Sequence, residues 1–153
     1  MTDPSIAERI QQDLVAAMKR QDADQLSTLR MLKSALMEAK TRKPKDAALS
    51  ADEEIEVLQR YAKKRREAIE EFRRVGRDDL VPREEAEIAV TQAFLPQPLD
   101  EAALRAIVQA AITSTGATSP RELGKVIGAV MPQVKGRAEG GQVSRLVKEA
   151  LGG

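Results

Sequence analysis

The segment SPRELGKVIGAVMPQVKGRAEGGQVSRLVKEAL, residues 119–151, decides the fold of the C-terminal part of the chain. Ser119 followed by Pro120, with Glu122 three residues after the serine, is typical of a helix start closed by a capping box. Two sets of apolar residues with helical spacing follow, and each predicts one buried helix face. The sets are Leu123, Val126, Ile127, Val130 and Met131, then Val143, Leu146, Val147, Ala150 and Leu151. We therefore expect two short helices, the first of which ends at Pro132 because proline lacks an amide proton.

The connection between these two helices is rich in glycine and carries cations. Residues 133–141 place Lys135 and Arg137 among Gly136, Gly140 and Gly141. Because glycine turns freely, this segment is expected to be a flexible basic turn. A turn of this kind suits an anionic partner.

Upstream, the chain predicts five more helices. The first begins at Asp3 and Pro4, and the second ends near Lys43. The third runs from a capping box at Ser50 to Gly76. The fourth begins near Asp78 or Asp79 and ends at Leu95. The fifth is capped by Asp100 and closed by Gly116. The predicted inner faces are Ile6, Ile10, Leu14, Ala17 and Met18; Leu26, Leu29, Leu32, Leu36 and Ala39; Ile55, Leu58, Ala62, Ile69 and Phe72; Ala86, Ala89, Val90, Ala93 and Phe94; and Leu104, Ile107, Val108, Ala111 and Ile112.

Two prolines mark the expected domain boundary. Pro96 and Pro98 flank Gln97 and disfavour helix at the residues before them. No strand or hairpin pattern is present. The sequence therefore predicts an all-α protein, with an N-terminal region of residues 1–95 (a helical hairpin within four helices) and a small C-terminal three-helix bundle in residues 99–153.

Composition limits the possible chemistry. The chain has no cysteine and no histidine, which removes the usual metal ligands, thiolate nucleophiles and neutral-pH bases. Phosphate-loop and dinucleotide-binding motifs are also absent. We expect no catalytic residue, no metal site and no cofactor. Neither a signal peptide nor a membrane-length apolar run is found, and we expect a cytoplasmic protein without a membrane partner.

The 25 basic and 24 acidic residues nearly balance, so any attraction to nucleic acid must be local. Residues 96–153 hold seven basic and five acidic residues. The candidate RNA-contacting residues in this region are Gly124, Lys125, Gly128, Lys135, Gly136, Arg137, Arg145 and Lys148. The cations could instead be ordinary solvated helix charges. Gly124 and Gly128 lie on one side of a helix at a cost of about 1 kcal/mol each, which either close helix packing or close approach of an RNA backbone would offset.

The third helix carries a second basic run, from Lys63 to Arg66, followed by Arg73, Arg74 and Arg77. Glu67, Glu70 and Glu71 are interspersed with it. This alternation favours a salt-bridged solvent face over a nucleic-acid surface.

Several blocks of the sequence together resemble one family. LGKVIG at 123–128, Met131-Pro132, KGRA at 135–138 and VKEAL at 147–151 are similar to the C-terminal motif of the YqeY family, and GRDDL at 76–80 and FLP at 94–96 resemble its middle. The resemblance implies a C-terminal bundle similar to the tail domain of the GatB component of the glutamine-dependent aminoacyl-tRNA amidotransferase. That tail is associated with tRNA binding, and the family is often labelled carbon-nitrogen ligase with glutamine as amido donor.

Three functions follow as hypotheses. The first is a tRNA-binding accessory that is not catalytic by itself, with amidotransferase or aminoacyl-tRNA synthetase components as possible protein partners. The second is a helical protein–protein adaptor of the translation apparatus. The third is an amide-transfer enzyme, which the missing side chains disfavour.

Overall fold

The computed structural model describes residues 3–152, and within them it contains seven α-helices and no strand. The helices are α1 Ile6–Arg20, α2 Ala23–Thr41, α3 Ala51–Arg74, α4 Val81–Gln92, α5 Glu101–Thr115, α6 Leu123–Val134 and α7 Gly140–Ala150. Single 3-10 turns precede α4 and α6, at Asp78–Leu80 and Pro120–Glu122. The predicted all-α class is confirmed. The chain divides into two compact units, one ending at Pro96 and the other beginning at Gln97.

In the N-terminal unit, α1 and α2 pack side by side, and α3 contacts both. Its core is built from fully buried aliphatic side chains, including Ile10, Leu29, Leu32 and Leu58. Met18, which the pattern places inside, is instead 57% exposed, since it lies at the edge of the α1 stripe where the helix turns toward solvent.

One acidic residue of this unit has a structural role that its sequence position hides. Glu54 lies in the first turn of α3, where a carboxylate ordinarily interacts with its own helix dipole in solvent. Here its side chain is 4% exposed, and its two oxygens accept from the backbone amides of Ile6 and Ala7 at 3.2 and 3.0 Å. Glu54 therefore caps the start of α1, because amides in the first turn of a helix have no partner within that helix.

The termini of α3 follow the sequence signals. The Ser50 hydroxyl accepts from the Glu53 amide, and the Glu53 carboxylate accepts from the Ser50 amide, which confirms the capping box. Lys43 Nζ lies 2.6 Å from the same Glu53 carboxylate. These bonds lower the pKa of Glu53 to about 2, with the Lys43 hydrogen bond as the largest cause. Gly76 follows the helix with φ of 75°, as expected of a terminating glycine.

Helix α4 is rotated relative to the prediction. Ala86, Ala89 and Ala93 are exposed, whereas Val81 and Thr91 are buried. The prediction is therefore wrong for the three alanines, whereas Phe94 is buried and Val90 is partly buried against the core, as predicted.

Polar contacts with the opposing helix α3 accompany this orientation of α4. Tyr61 Oη donates to Glu87 at 3.0 Å, and Arg65 lies 3.5 Å from Glu84. Glu84 and Glu87 are both half-buried. Burial raises the pKa of Glu84 although Arg65 is close, and burial together with Glu87 raises the pKa of Tyr61 to about 12.

The C-terminal unit is a bundle of α5, α6 and α7 around one aliphatic core. Its fully buried residues come from all three helices and include Leu104, Val108, Val126, Val130, Val143, Leu146 and Val147. Asp100 caps α5 by accepting from the Ala103 amide at 2.7 Å, and Gly116 ends α5 with φ of 71°. Ala150, which the pattern places inside, is exposed in the last turn of α7.

The predicted end of α6 is also wrong. Pro132 lies inside the helix, which continues to Val134. A proline removes the hydrogen bond to the residue four positions earlier, and its ring crowds the carbonyl of that residue, which here is the exposed Gly128. Gly128 lies on the solvent side of the helix, and Val134 in the last turn is fully buried.

Candidate nucleic-acid interface

The solvent-facing side of α6 has an unusual composition. Gly124, Lys125 and Gly128 are all exposed. A Cβ placed at either glycine would meet no atom within 4 Å outside its own stretch of helix. Neither glycine has a positive φ. Close packing inside the protein and backbone conformation therefore both fail to explain why glycine stands at these two helical positions.

Two further residues complete this surface. Arg121 and Pro132 are exposed. Pro132 shares one helix face with Gly124, Lys125 and Gly128, and Arg121 lies in the 3-10 turn directly before α6, three residues ahead of Gly124. We call these five residues the α6 outer face. It carries two cations at its N-terminal end and almost no side chain beyond them, so a partner could approach the helix backbone closely.

The cations of the α6 outer face are not neutralised by ion pairs. Across residues 3–152, no carboxylate lies within ion-pair distance of Arg121 or Lys125. The nearby acid, Glu122, accepts from the amides of Thr118 and Ser119 at 2.6 and 3.3 Å. These bonds, with that of Thr118 as the largest cause, lower the pKa of Glu122. The charge of Lys125 also lowers the pKa of Glu122, although the two side chains form no ion pair.

The backbone of the α6 outer face also offers an acceptor. Because residue 132 is proline, the Gly128 carbonyl receives no helical N–H from four residues on. The next carbonyl, of Ala129, accepts from the Gln133 side-chain amide at 3.0 Å. The α6 outer face therefore combines two cations with a carbonyl that lacks its helical donor.

The basic turn is shorter and more constrained than the sequence indicates. It spans residues 135–139, since Gln133 and Val134 belong to α6 and Gly140 and Gly141 to α7. Gly136 is buried with φ of 80°, and Lys135 is half-buried and has an interaction partner.

Arg137 fastens this turn to the segment that precedes α5. Its Nε donates to the Gln97 carbonyl, and its own carbonyl accepts from the Leu99 amide, both at 2.9 Å. The expectation of a freely flexible cationic turn is therefore wrong. Arg137 is exposed, but part of its guanidinium already has a structural bond.

Arg145 belongs to a cluster of four charges that connects α5 and α7. It lies 2.7 Å from Glu101 and 3.2 Å from Glu149, and Arg105 lies 3.1 Å from Glu149 and 3.6 Å from Glu101. The hydrogen bond from Arg145 lowers the pKa of Glu101. With two arginines and two glutamates, the cluster has no net charge to offer a phosphate.

The candidate residues thus fall into separate groups. Gly124, Lys125 and Gly128 share one face, Lys135, Gly136 and Arg137 form the anchored turn, and Arg145 and Lys148 lie on α7, with Lys148 exposed. Arg121 is not among the candidate residues predicted from the sequence, although its position three and four residues before Gly124 and Lys125 could have indicated it.

The arginines of the basic run of α3 and of the segment after it have interaction partners, whereas Lys63 and Lys64 are exposed and form no ion pair within residues 3–152. Arg65 pairs with Glu84, Arg73 with Glu85, and Arg77 with Asp79, while Arg74 pairs with Glu71. Arg66 also has an interaction partner. This agrees with the salt-bridged face that the alternating charges favour.

Two other classes of site are absent from residues 3–152. No group of three or more acidic residues is placed to hold a metal ion. None of the helices in this range has the length and apolar character needed to cross a bilayer.

The structure defines an all-helical protein of two units, the second of which presents a cationic, glycine-lined helix face. The chain belongs to the YqeY family, since the family model described as Yqey-like protein matches residues 7–151.

Two relatives support this membership. "Altered inheritance of mitochondria protein 41, mitochondrial" of Pyrenophora tritici-repentis is 33% identical over 150 residues, which cover 94% of this chain and 80% of that protein. A Schizosaccharomyces pombe protein described as uncharacterized is 36% identical over 95 residues, covering 61% of this chain and 75% of that protein. Neither name states a catalytic activity.

The Pyrenophora relative contradicts the expectation of a cytoplasmic protein, because its name assigns that protein to the mitochondrion. The expectation rested on a charged composition without a signal peptide or membrane span. These features do not separate the cytoplasm from other aqueous compartments, and the cytoplasmic assignment is withdrawn.

Proposed function

We propose that this chain is a tRNA-binding accessory protein, not catalytic by itself, that contacts RNA through the α6 outer face. The observation that carries the proposal is the pair of exposed glycines, Gly124 and Gly128, beside Arg121 and Lys125, which form no ion pair within residues 3–152. Each glycine costs about 1 kcal/mol of helix stability, and no intramolecular contact offsets that cost. Close approach of a phosphate backbone would do so.

The chemistry of the face favours RNA over DNA. Arg121 and Lys125 would pair with phosphates, which fixes position without reading sequence. The Gly128 carbonyl lacks its helical donor and would accept a hydrogen bond, and among backbone groups of nucleic acids only the ribose 2′-hydroxyl can donate one. The chain has one tyrosine, two phenylalanines and no tryptophan, so recognition would rest on shape and backbone and not on base stacking.

The C-terminal motif supports tRNA as the RNA because it resembles the tail domain of the amidotransferase component GatB. Amidotransferase or aminoacyl-tRNA synthetase components would then be the protein partners. The chain offers neither a histidine nor a cysteine for amide chemistry, so the carbon-nitrogen ligase label would describe such a complex and not this chain. Purified chain should release no ammonia from glutamine in the presence of ATP and misacylated tRNA, and release would overturn this part of the proposal.

The direct test is a fluorescence-anisotropy titration of labelled tRNA at several salt concentrations. The double variant Arg121→Gln/Lys125→Gln should bind at least tenfold more weakly at 0.15 M salt, and the slope of log K against log salt should fall by about 2, one for each lost phosphate contact. Lys19→Gln/Arg30→Gln is the matched control, because it removes the same charges from exposed positions of α1 and α2. Equal losses in both variants would show bulk attraction and refute the α6 outer face as the site.

A second arm of the titration tests the carbonyl. A DNA hairpin with the sequence of one tRNA arm should bind more weakly than the RNA hairpin of the same sequence. The Pro132→Ala variant should show a smaller difference in affinity between the two hairpins, because the alanine amide would donate to the Gly128 carbonyl within the helix.

The adaptor hypothesis assigns the same face to a protein. It predicts that a complex captured on this chain survives nuclease treatment and is lost in the Gly124→Gln/Gly128→Gln variant. Loss of the complex on nuclease treatment favours the RNA proposal.

A further inference from the structure

A groove of about 700 Å³ lies in the N-terminal unit between the first turns of α2 and one side of α4. Its α4 wall consists of Pro82, Ala86, Ala89 and Val90, at the i, i+4, i+7, i+8 spacing of an apolar helix face. Three of these four residues are exposed, and Val90 is half-buried. Ala86 and Ala89, which the sequence assigns to the core, therefore face outward and line this groove. Its volume lies within the range of binding clefts, about 300–1,000 Å³.

The α4 wall of the groove lies on the side of the helix away from α3. The opposite side of α4 faces α3, where Arg65 lies 3.5 Å from Glu84 and Thr91 is fully buried, and Glu87, at the edge of the groove, accepts from Tyr61. The contact of Glu84 with Arg65 and the burial of Thr91 place the α3-facing side of α4 away from the groove. Its small side chains would let a second helix approach closely, since the separation of packed helices depends on the side chains at the contact.

The charged residues that line the groove are mostly acidic, which favours a basic ligand. Asp22, Asp24 and Glu87 line it, with Arg83 as the opposing cation, which leaves a net charge of −2. Asp22 accepts from the Gln25 amide as the cap of α2, and no cation in residues 3–152 forms an ion pair with Asp22 or Asp24. An acidic groove repels a phosphate backbone, so it does not extend the RNA face.

We propose that this groove binds an amphipathic helix of a partner protein, with small or medium apolar residues against Ala86 and Ala89 and with Lys or Arg residues facing Asp22 and Asp24. Helices recognised in this way present apolar residues at i, i+3, i+4 and i+7. The proposal does not depend on RNA binding, because it concerns other residues of the other unit.

The occupant is identified with a photocrosslinking amino acid, p-benzoylphenylalanine, placed at Ala89 of the full chain. After irradiation in an extract of the source cells, the crosslinked peptide is sequenced by mass spectrometry. We expect a segment with helix-spaced apolar residues flanked by Lys or Arg, in a yield at least fivefold above that from the same amino acid at exposed Ala150 of α7. An acidic segment, a nucleic-acid adduct, a peptide of this chain or a yield equal to that at Ala150 would overturn the proposal.

The charge argument is then tested with the captured segment as a synthetic peptide. The double variant Asp22→Asn/Asp24→Asn should bind it about tenfold more weakly, with a reduced salt dependence. Asparagine caps helices as well as aspartate does, so the start of α2 is kept. Asp13→Asn/Glu67→Gln removes the same two charges from exposed positions of α1 and α3 and should leave the affinity unchanged. Equal affinity for the groove variant and the parent would refute the charge complementarity.

Discussion

Replacing both glycines of the α6 outer face by alanine should make the protein more stable and its RNA binding weaker. In the structure, Gly124 and Gly128 are helical and exposed, and an added Cβ meets no atom within 4 Å outside its own stretch of helix. Alanine is favoured over glycine by about 1 kcal/mol in a helix interior. Gly128 should give that full amount, whereas Gly124, as the second residue of α6, should give less. We expect a gain of about 1.5 kcal/mol for the double variant.

The two units allow this gain to be located. The single tyrosine, Tyr61, lies in the N-terminal unit, and the chain has no tryptophan, so intrinsic fluorescence follows that unit alone. Circular dichroism follows the helices of both units. A gain of 1 kcal/mol raises the melting temperature of a small domain by roughly 4–8 °C. Gly124→Ala/Gly128→Ala should therefore raise a melting transition seen by circular dichroism and leave the tyrosine transition unchanged.

Affinity for tRNA should fall in the same variant, because each methyl group holds the phosphate backbone away from the helix. A loss of fivefold or more, together with higher stability, would separate binding from folding. Unchanged affinity with raised stability would refute the argument that the glycines serve a nucleic acid. Lower stability would refute the structural premise that both positions are open.

Two further predictions concern the N-terminal unit and use the tyrosine signal. Glu54→Gln should lower the free energy of unfolding of this unit by about 1–3 kcal/mol, measured in urea. The new amide nitrogen would face the backbone amide of Ile6 or Ala7 and leave a buried donor without an acceptor. A change below about 0.5 kcal/mol would contradict the capping role. Glu53→Gln should lower the urea midpoint above pH 4.5. The difference in urea midpoint between variant and parent should vanish as the pH falls toward 2. Lys43 lowers the folded-state pKa of Glu53 to about 2, so the stability that the ionised carboxylate provides is lost as it is protonated. A difference that stays constant with pH would show that the ionised carboxylate is not the source.

Much of the fold could be predicted because the signals that set it are local. The cap of α3 depends on Ser50 and Glu53, and the end of α5 depends on Gly116. The apolar faces of α5, α6 and α7 were also predictable, since each is a continuous stripe of large aliphatic residues. Helix α4 lacks such a stripe. Alanine is tolerated on either side of a helix, and the orientation of α4 is accompanied by contacts with residues 19 to 26 positions away, Arg65 with Glu84 and Tyr61 with Glu87.

In the candidate site, too, the local features could be predicted from the sequence and the contacts between distant residues could not. Whether Gly124, Lys125 and Gly128 share a face depends on spacing within one helix, and the sequence is sufficient for that. Whether a cation is available depends on what reaches it from elsewhere: Arg145 pairs with Glu101, 44 residues away, and Arg137 bonds to Gln97, 40 residues away. No charge count reveals such pairing. The proposed RNA contact therefore rests on the α6 outer face and not on the glycine-rich turn, because Arg121 and Lys125 form no ion pair with a carboxylate of residues 3–152.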